Sequence, residues 1–431
     1  MIRKLSFVFI IGLTILVFLT VASGIKGTQG PARAAIASDL SYILKNKDLQ
    51  KLGERLFFDQ NLSTPPGQSC AACHDPSAGW TGPDEKINKR EAIYAGTIPE
   101  RFGNRKPPSS AYATPGPSLH LEEESEEKLF VGGNFWDGRA TGWKLGNPAA
   151  DQAHGPLLNP VEQNNPDAKT VVDKVCGSVY AGLFKKVCSE IWHITDICKD
   201  KNTEMAFGII GLAIAAYESS EQVNQFTSKY DYYLKGRVDL TPQEKRGLRL
   251  FDDKGKCADC HPSQAGPNGE PPLFTDFTYD NLGIPRNLVN PWYSMPPGYN
   301  PDGANWVDPG LGGFLIQVPQ YAMFASENYG KHRVPTLRNV DKRPYPGFVK
   351  SYGHNGYFKS LEEFVHFYNK RDVLPPCDSV SDPQPGVNCW PGPEVDQNVN
   401  KEELGDLKLS QEEEAAIVAF MKTLSDGYNL P

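Results

Sequence analysis

The sequence predicts a mainly α-helical protein, built from two similar halves with long irregular loops. A pentapeptide of the form Cys-x-x-Cys-His occurs twice, at residues 70–74 and 257–261. A helical segment containing Leu and Phe precedes each copy, at Leu52–Asp59 and Arg246–Asp252. The stretch Pro262–Gly330 is rich in Pro, Gly, Asn and aromatic residues and has little periodicity. The internal repeat indicates one structural unit in each half, and the aromatic content indicates ordered loops rather than disorder.

The repeated pentapeptide has the spacing of a c-type haem attachment site. Its two cysteines form thioethers to the porphyrin, and its histidine is the proximal iron ligand. A zinc knuckle or a redox dithiol would need a different context. The sequence therefore predicts two covalently bound haems in two cytochrome c-like domains. The attachment residues are Cys70, Cys73 and His74 for the first haem and Cys257, Cys260 and His261 for the second.

The N-terminus and the repeat set the predicted domain boundaries. We expect a signal peptide or N-terminal anchor at residues 1–34, a first haem domain at 35–235 and a second at 236–431. Two basic residues precede an apolar run from Leu5 to Ala22, which is typical of an export signal. The run is also long enough for an uncleaved membrane anchor. Either outcome places the haem domains in the periplasm, where bacteria attach c-type haem.

Charge and cysteine usage narrow the class of protein. The net charge of −8 at pH 7 argues against nucleic-acid binding, which favours a basic surface. An oxidising compartment permits disulfides. Cys377 and Cys389 flank a Pro/Gly-rich loop and are the most plausible pair. Among Cys176, Cys188 and Cys198, a buried free thiol explains at least one cysteine equally well.

Several motifs and helical patterns surround the two attachment sites. Between the attachment sites, in chain order, lie FWDGRA at 135–140, QAHGP at 152–156, NPVE at 159–162, and helical patterns at Ala168–Ser189 and Thr203–Ser219. After the irregular stretch come VPTLRNV at 334–340, HNG at 354–356, and an amphipathic helix at Ser410–Leu424. The pattern at Thr203–Ser219 is apolar at helical spacing and is predicted to be core. Ser360 is the predicted N-cap of a capping box with Glu363.

These motifs, in this order, resemble the bacterial di-haem cytochrome c peroxidase family over nearly the whole mature chain. The resemblance implies an N-terminal haem that reacts with peroxide, a C-terminal haem that handles electrons, and a tryptophan between them. Carried over to this sequence, Trp136 is that tryptophan, and Gln152 and Glu162 line the distal pocket of the first haem. Glu162 is the acid/base group, because heterolysis of the O–O bond moves a proton between the two oxygens. The residues alone would equally allow a core tryptophan and a surface carboxylate.

The second haem departs from the standard family pattern. The family's distal methionine corresponds here to Tyr368, which resembles the MauG-like branch of the family. Tyr368 shares one helical face with Leu361, Phe364 and Val365, whereas the neighbouring His366 points elsewhere. Met295 and Met323, which lie in the irregular stretch, are weaker alternatives to Tyr368 as the distal ligand of the second haem.

The first haem and the region between the haems also depart from the pattern. The family's loop histidine, which caps the first iron, has no counterpart, because residues 75–119 contain no histidine. His154 remains open as a pocket donor, a surface group or a sixth ligand of the first iron. The resemblance implies a calcium ion held partly by an asparagine, but Lys106 occupies that position. An ammonium group cannot ligate calcium, so the sequence leaves this ion in question.

The resemblance implies a periplasmic enzyme that reduces hydrogen peroxide to water via high-valent haem iron. Its electrons would come from a small redox protein such as a cytochrome c or a cupredoxin. The alternative enzyme is a MauG-like one, which uses peroxide to oxidise a protein substrate. A third interpretation is a non-catalytic di-haem electron carrier, with both irons six-coordinate and no need for Glu162. The sequence leaves a homodimer open.

Overall fold

The computed structural model describes residues 40–123, 128–266 and 269–431. Ile43–Pro431 form one compact unit, and of the other unit, Met1–Tyr42, only residues 40–42 are described. The predicted signal or anchor at residues 1–34 lies outside the described residues. The division near residue 235 stays a prediction.

The described chain is mainly α-helical, as predicted. Its helices are α1 (Lys47–Phe57), α2 (Glu85–Lys89), α3 (Pro148–Leu158), α4 (Ala168–Gly177), α5 (Ala181–Trp192), α6 (Thr203–Glu218), α7 (Lys229–Leu234), α8 (Pro242–Asp252), α9 (Cys257–Cys260), α10 (Gly310–Leu315), α11 (Leu361–Lys370) and α12 (Gln411–Lys422). Short 3₁₀ turns and irregular loops join them.

Strands contribute little to the fold. β1 (His120–Glu122) pairs antiparallel with β2 (Leu129–Val131), with His120 opposite Val131. β3 (Tyr279–Asp280) pairs antiparallel with β4 (His332–Arg333), with Tyr279 opposite Arg333. The second pair joins the irregular stretch after the second attachment site to the segment that carries VPTLRNV.

The internal repeat reappears as two similar helix crossings, α1 with α6 and α8 with α12. At each crossing a glycine lets the two backbones approach closely. A Cβ on Gly53 would lie 1.8 Å from the carbonyl oxygen of Ala213, and one on Gly247 would lie 1.9 Å from that of Ala416. Because real atoms cannot come so close, only glycine fits either position. Each attachment site thus follows a helix that is fixed against another in the same way.

The predicted helices form, with one difference. α6 is buried along most of its length, which confirms the predicted core helix. The pattern at Ala168–Ser189 forms two helices, α4 and α5, rather than one. The chain turns at residues 178–180, where the Ser178 hydroxyl accepts a hydrogen bond from the Tyr180 N–H at 3.3 Å. A serine that bonds its local backbone in this way competes with helix continuation.

Both predicted N-caps are present, but the prediction of a complete capping box at Ser360 was wrong. Ser360 caps α11 by accepting from the Glu363 N–H at 3.0 Å, but the Glu363 carboxylate accepts from the Lys359 N–H instead of that of Ser360. Ser410 opens α12 with a complete capping box.

The cysteines outside the haem motifs follow the sequence expectations. Cys377 and Cys389 form a disulfide, which confirms that prediction. Cys176 pairs with Cys198, and Cys188 remains a buried free thiol. Within the described residues, no helix combines the length and apolar character needed to cross a membrane.

Candidate functional site

The first attachment site presents its histidine in the form that an iron ligand requires. Cys70 and Cys73 are free thiols on a 3₁₀ turn. The Nδ1 of His74 donates to the Trp80 carbonyl oxygen at 3.3 Å, so Nε2 is left for a metal. Burial lowers the pKa of His74 to about 4, so the imidazole is neutral and can ligate iron.

The second attachment site repeats this arrangement on α9. Cys257 and Cys260 are free thiols. The Nδ1 of His261 donates to the Phe274 carbonyl oxygen at 2.8 Å, and burial lowers the pKa of His261 to about 4. Both histidines therefore have a backbone carbonyl that fixes the ring and leaves Nε2 available.

Each attachment site borders a cavity. The first cavity is lined by Cys70, Cys73 and His74. The second cavity is lined by Cys257, Cys260 and His261, and it extends to His74. The two cavities share several lining residues, so they meet inside the compact unit. The shared residues are His74, Lys106, Pro108, Ser110, Phe135, Trp136, Gln152 and Glu218.

The polar groups that line the second cavity also suit a bound haem. Arg333 contributes to this lining, and its buried Nε and Nη2 atoms have no hydrogen-bond partner among the described residues. Buried guanidinium N–H groups that lack an acceptor are costly. Haem carries two propionate carboxylates, which are the groups that an arginine fork binds best.

Trp136 lies where the two cavities meet and lines both. Its Nε1 donates to the carbonyl oxygen of Lys106 at 2.8 Å. The backbone carbonyl oxygen of Trp136 accepts from the backbone N–H of Arg333 at 2.8 Å. The next residue, Asp137, forms ion pairs with Arg105 and Arg139. The indole is thus held in one orientation between the two attachment sites.

Glu162 and Gln152 line the first cavity together with His74. The Nδ2 of Asn159 donates to Glu162 Oε1 at 2.8 Å, which orients the carboxyl group. Burial raises the pKa of Glu162, while the charge of Arg139 and the bond from Asn159 act in the opposite direction. Such opposing influences suit a carboxyl group that gains and loses a proton.

Tyr368 lines the second cavity, together with Leu361, Phe364 and Val365 of the same helical face. Burial raises the pKa of Tyr368 well above its ordinary value, to which Cys260 and Asp280 contribute. Its neighbour His366 lies outside this lining and pairs with Glu414 at 3.0 Å.

The methionine that lines the second cavity is not one of the two that the sequence suggested. Met295 is buried outside both cavities, and Met323 is 78% exposed. Met421 of α12, which the sequence gave no reason to consider, lines the second cavity instead. It came into reach only through the packing of α12 on α8.

His154 lines neither cavity. Its Nε2 donates to the Phe207 carbonyl oxygen at 2.8 Å, and its ring stacks on Phe207 with 4.1 Å between the ring centres. Gly211 leaves room for the imidazole, since a Cβ there would lie 2.6 Å from His154 Nε2. His154 is therefore a packing residue between α3 and α6. Among the described residues that line the first cavity, His74 is the sole histidine.

Glu218 is a cavity residue that sequence reasoning missed. It ends α6, is 4% exposed, lines both cavities, and forms no ion pair with any described residue. Burial raises the pKa of Glu218 to about 8. The signal available in the sequence was a carboxylate that follows an apolar helical stretch from Ala206 to Tyr217.

The cavities lead to a first prediction about attachment. The double variant Cys70→Ala/Cys73→Ala should retain one covalent haem per chain, and Cys257→Ala/Cys260→Ala should retain the other. Pyridine haemochrome absorbance per chain measures this. Cys188→Ala removes a buried thiol outside both cavities and should keep two haems. A wild-type protein with a single haem would contradict the assignment.

Comparison with known proteins agrees with this geometry. A family model described as di-haem cytochrome c peroxidase matches residues 47–239. The chain is 33% identical over 384 residues to the methylamine utilization protein MauG of Paracoccus denitrificans, with 88% of each chain covered. It is 28% identical over 326 residues to the cytochrome c551 peroxidase of Nitrosomonas europaea, covering 74% of this chain and 72% of that one.

A solved structure has the same fold. The diheme peroxidase BthA of Burkholderia thailandensis aligns with a TM-score of 0.69 and 28% identity, covering 88% of this chain and 86% of that one.

Proposed function

This chain belongs to the di-haem cytochrome c peroxidase family, and we propose that it is an exported enzyme that reduces hydrogen peroxide to water at its first haem. Two c-type haems and oxidoreductase activity come with the family. The observation that carries the peroxide chemistry is the placement of Glu162 in the first cavity, where His74 is the only histidine among the described lining residues.

The chain's own residues would handle the protons of peroxide. When bound, haem iron supplies the two-electron reduction of the O–O bond. Glu162 would take a proton from one peroxide oxygen and deliver it to the other, which leaves as water, and two electrons from the donor with two protons would turn the remaining oxygen into the second water. Asn159 holds the carboxyl group in place through its 2.8 Å bond, and Gln152 offers an amide to position peroxide.

Trp136 would connect the two haems for electron transfer, and Tyr368 would set the redox properties of the second haem. Trp136 lines both cavities, so its indole is a short route for an electron between them. Although burial raises the pKa of the free Tyr368 phenol, a bound iron cation would favour its deprotonation, and the phenolate would be a hard anionic donor that favours oxidised iron. The electron donor would be a small redox protein such as a cytochrome c or a cupredoxin. The proposed domains are residues 35–235 and 236–431, behind an export segment at 1–34.

A second candidate is peroxide-dependent oxidation of a protein substrate. The observations that favour it are the 33% identity to methylamine utilization protein MauG and a tyrosine facing the second cavity. The two candidates differ in where the electrons come from. A peroxidase oxidises two molecules of reduced cytochrome or cupredoxin, each a one-electron donor, for every peroxide lost. The second enzyme leaves that donor untouched and changes the mass of its protein substrate.

The fully ferric protein should react with peroxide directly. His154 is held by Phe207, residues 75–119 contain no histidine, and His74 is the only histidine among the described residues that line the first cavity, which favours an open first iron. Mixing ferric protein with one equivalent of peroxide under stopped flow should change the Soret band without added reductant. Mixing with peroxide-free buffer is the control. A spectrum that changes only after reduction would show that another ligand closes the first iron.

A further inference from the structure

The calcium ion implied by the family resemblance does not fit the residues present. Lys106 occupies the position of the asparagine ligand, and its side chain offers only hydrogen-bond donors. Its Nζ donates to Thr81 Oγ1 at 3.1 Å and to the Pro107 carbonyl oxygen at 3.2 Å. The residue is 9% exposed. Those oxygens therefore face an ammonium group rather than a metal ion.

Lys106 is at the centre of the junction between the attachment sites. Its side chain lines both cavities. Its carbonyl oxygen accepts from Trp136 Nε1 at 2.8 Å, and its N–H donates to the His354 carbonyl oxygen at 2.9 Å. A single residue thus contacts the tryptophan between the haems and brings a positive charge beside it.

A second buried lysine binds the same short segment of chain, because Lys350 Nζ contacts Ala78 and Lys106 Nζ contacts Thr81. Lys350 is 4% exposed and lines the second cavity. Its Nζ donates to three carbonyl oxygens, those of Ala78 at 2.7 Å, Lys342 at 2.9 Å and Asn339 at 3.2 Å. All three of its donors are satisfied by carbonyl oxygens, the kind of group that also holds hard metal cations. These bonds tie a segment beside the first attachment site to one beside the second.

The two lysines are near enough to affect each other. Burial lowers the pKa of Lys350 well below its ordinary value, and the charge of Lys106 adds to this. Burial also lowers the pKa of Lys106, to about 8. Both Nζ atoms bond to a hydroxyl or to carbonyl oxygens, and neither lysine forms an ion pair with a described carboxylate. Haem propionates, which the second cavity would receive, are the anions that such buried cations need.

We propose that Lys106, with Lys350 beside it, supplies the positive charge at the haem junction and that the protein holds both haems without calcium. The proposal rests on the two haems and not on the proposed peroxide chemistry. In it, a lysine side chain of the protein itself takes the place of the exchangeable calcium ion that the resemblance implies. Its failure would therefore leave the peroxidase assignment intact.

The first test measures calcium in the holoprotein. Wild-type protein purified in metal-free buffer should contain far less than one calcium per chain by plasma mass spectrometry. Excess EGTA or added CaCl₂ should leave the Soret spectrum, the haem content and the thermal midpoint unchanged. About one retained calcium per chain, or a spectral change on chelation, would overturn the proposal.

The second test removes the charge and keeps the length of the side chain. Lys106→Met should lower the reduction midpoint of at least one haem, because a nearby positive charge favours the ferrous state. Lys408→Met is the matched control, since Lys408 is a lysine whose side chain is 76% exposed. Spectroelectrochemical titration gives both midpoints. Equal midpoints for Lys106→Met and the control would overturn the role of Lys106. If Lys106→Met does not assemble, Lys350→Met is titrated in its place under the same criterion.

Discussion

We expect Glu162→Gln to keep both haems and the fold and to lose peroxide turnover by about 10²–10⁴-fold. The amide matches the carboxyl group in shape and can still contact Asn159, which donates to Glu162 Oε1 at 2.8 Å. It cannot, however, take a proton from one peroxide oxygen and give it to the other. Steady-state peroxide consumption with a reduced donor measures the loss, and haem content confirms assembly.

The matched control is Glu190→Gln on α5, where the side chain is 56% exposed and outside both cavities. It should turn over peroxide at the wild-type rate. Turnover of Glu162→Gln within threefold of this control would remove Glu162 from the mechanism.

The pH dependence gives a second measure of the same group. Burial raises the pKa of Glu162, although Arg139 and Asn159 oppose this. The carboxylate that accepts the first proton is therefore lost as the pH falls through this raised pKa, and wild-type turnover should decline on the acid side. In Glu162→Gln that acid limb should be absent, because the amide does not titrate. An identical acid limb in both proteins would assign it to another group.

The sequence predicted the parts of the site that local signals specify. The attachment motifs are contiguous, so Cys70, Cys73 and His74 could be assigned without a structure. The face of α11 could be predicted from helical spacing, and its members, Tyr368 among them, do line the second cavity. The capped helices and the Cys377–Cys389 disulfide likewise depend on short stretches of chain.

The remaining features depend on tertiary packing. His154 could not be placed from the sequence, because its position depends on the space that Gly211 leaves on another helix. Glu218 and Met421 reach the cavities only because α6 and α12 cross α1 and α8. The residues for catalysis and ligation, Glu162, Trp136 and Tyr368, share cavities with the attachment sites, but their roles stay predictions.

Arg338→Met should destabilise the folded protein by about 3–5 kcal/mol, because it leaves a buried carboxylate unpaired. Arg338, in the VPTLRNV motif, and its partner Asp231 are each 1% exposed. The guanidinium donates to both oxygens of Asp231, at 2.9 and 3.0 Å, and its Nε donates to the Pro272 carbonyl oxygen at 2.7 Å. It also lies 4.5 Å from the ring centre of Phe226. Urea unfolding followed by circular dichroism at pH 7 measures the loss.

The pH dependence separates a lost charge pair from lost packing. Burial raises the pKa of Asp231, but the hydrogen bonds and charge of Arg338 outweigh it and hold this pKa below its ordinary value. The pair therefore contributes stability at neutral pH, and this contribution is lost as the pH falls through the folded-state pKa of Asp231. In Arg338→Met the carboxyl group protonates at a higher pH, so the gap between variant and wild type should narrow on acidification.

Two further variants complete the test. Arg338→Met/Asp231→Asn removes the uncompensated charge as well, so it should be more stable at pH 7 than Arg338→Met alone. Lys422→Met breaks the exposed pair with Glu362 and should cost about 1 kcal/mol or less. If Arg338→Met costs no more than Lys422→Met, the buried pair does not stabilise the fold.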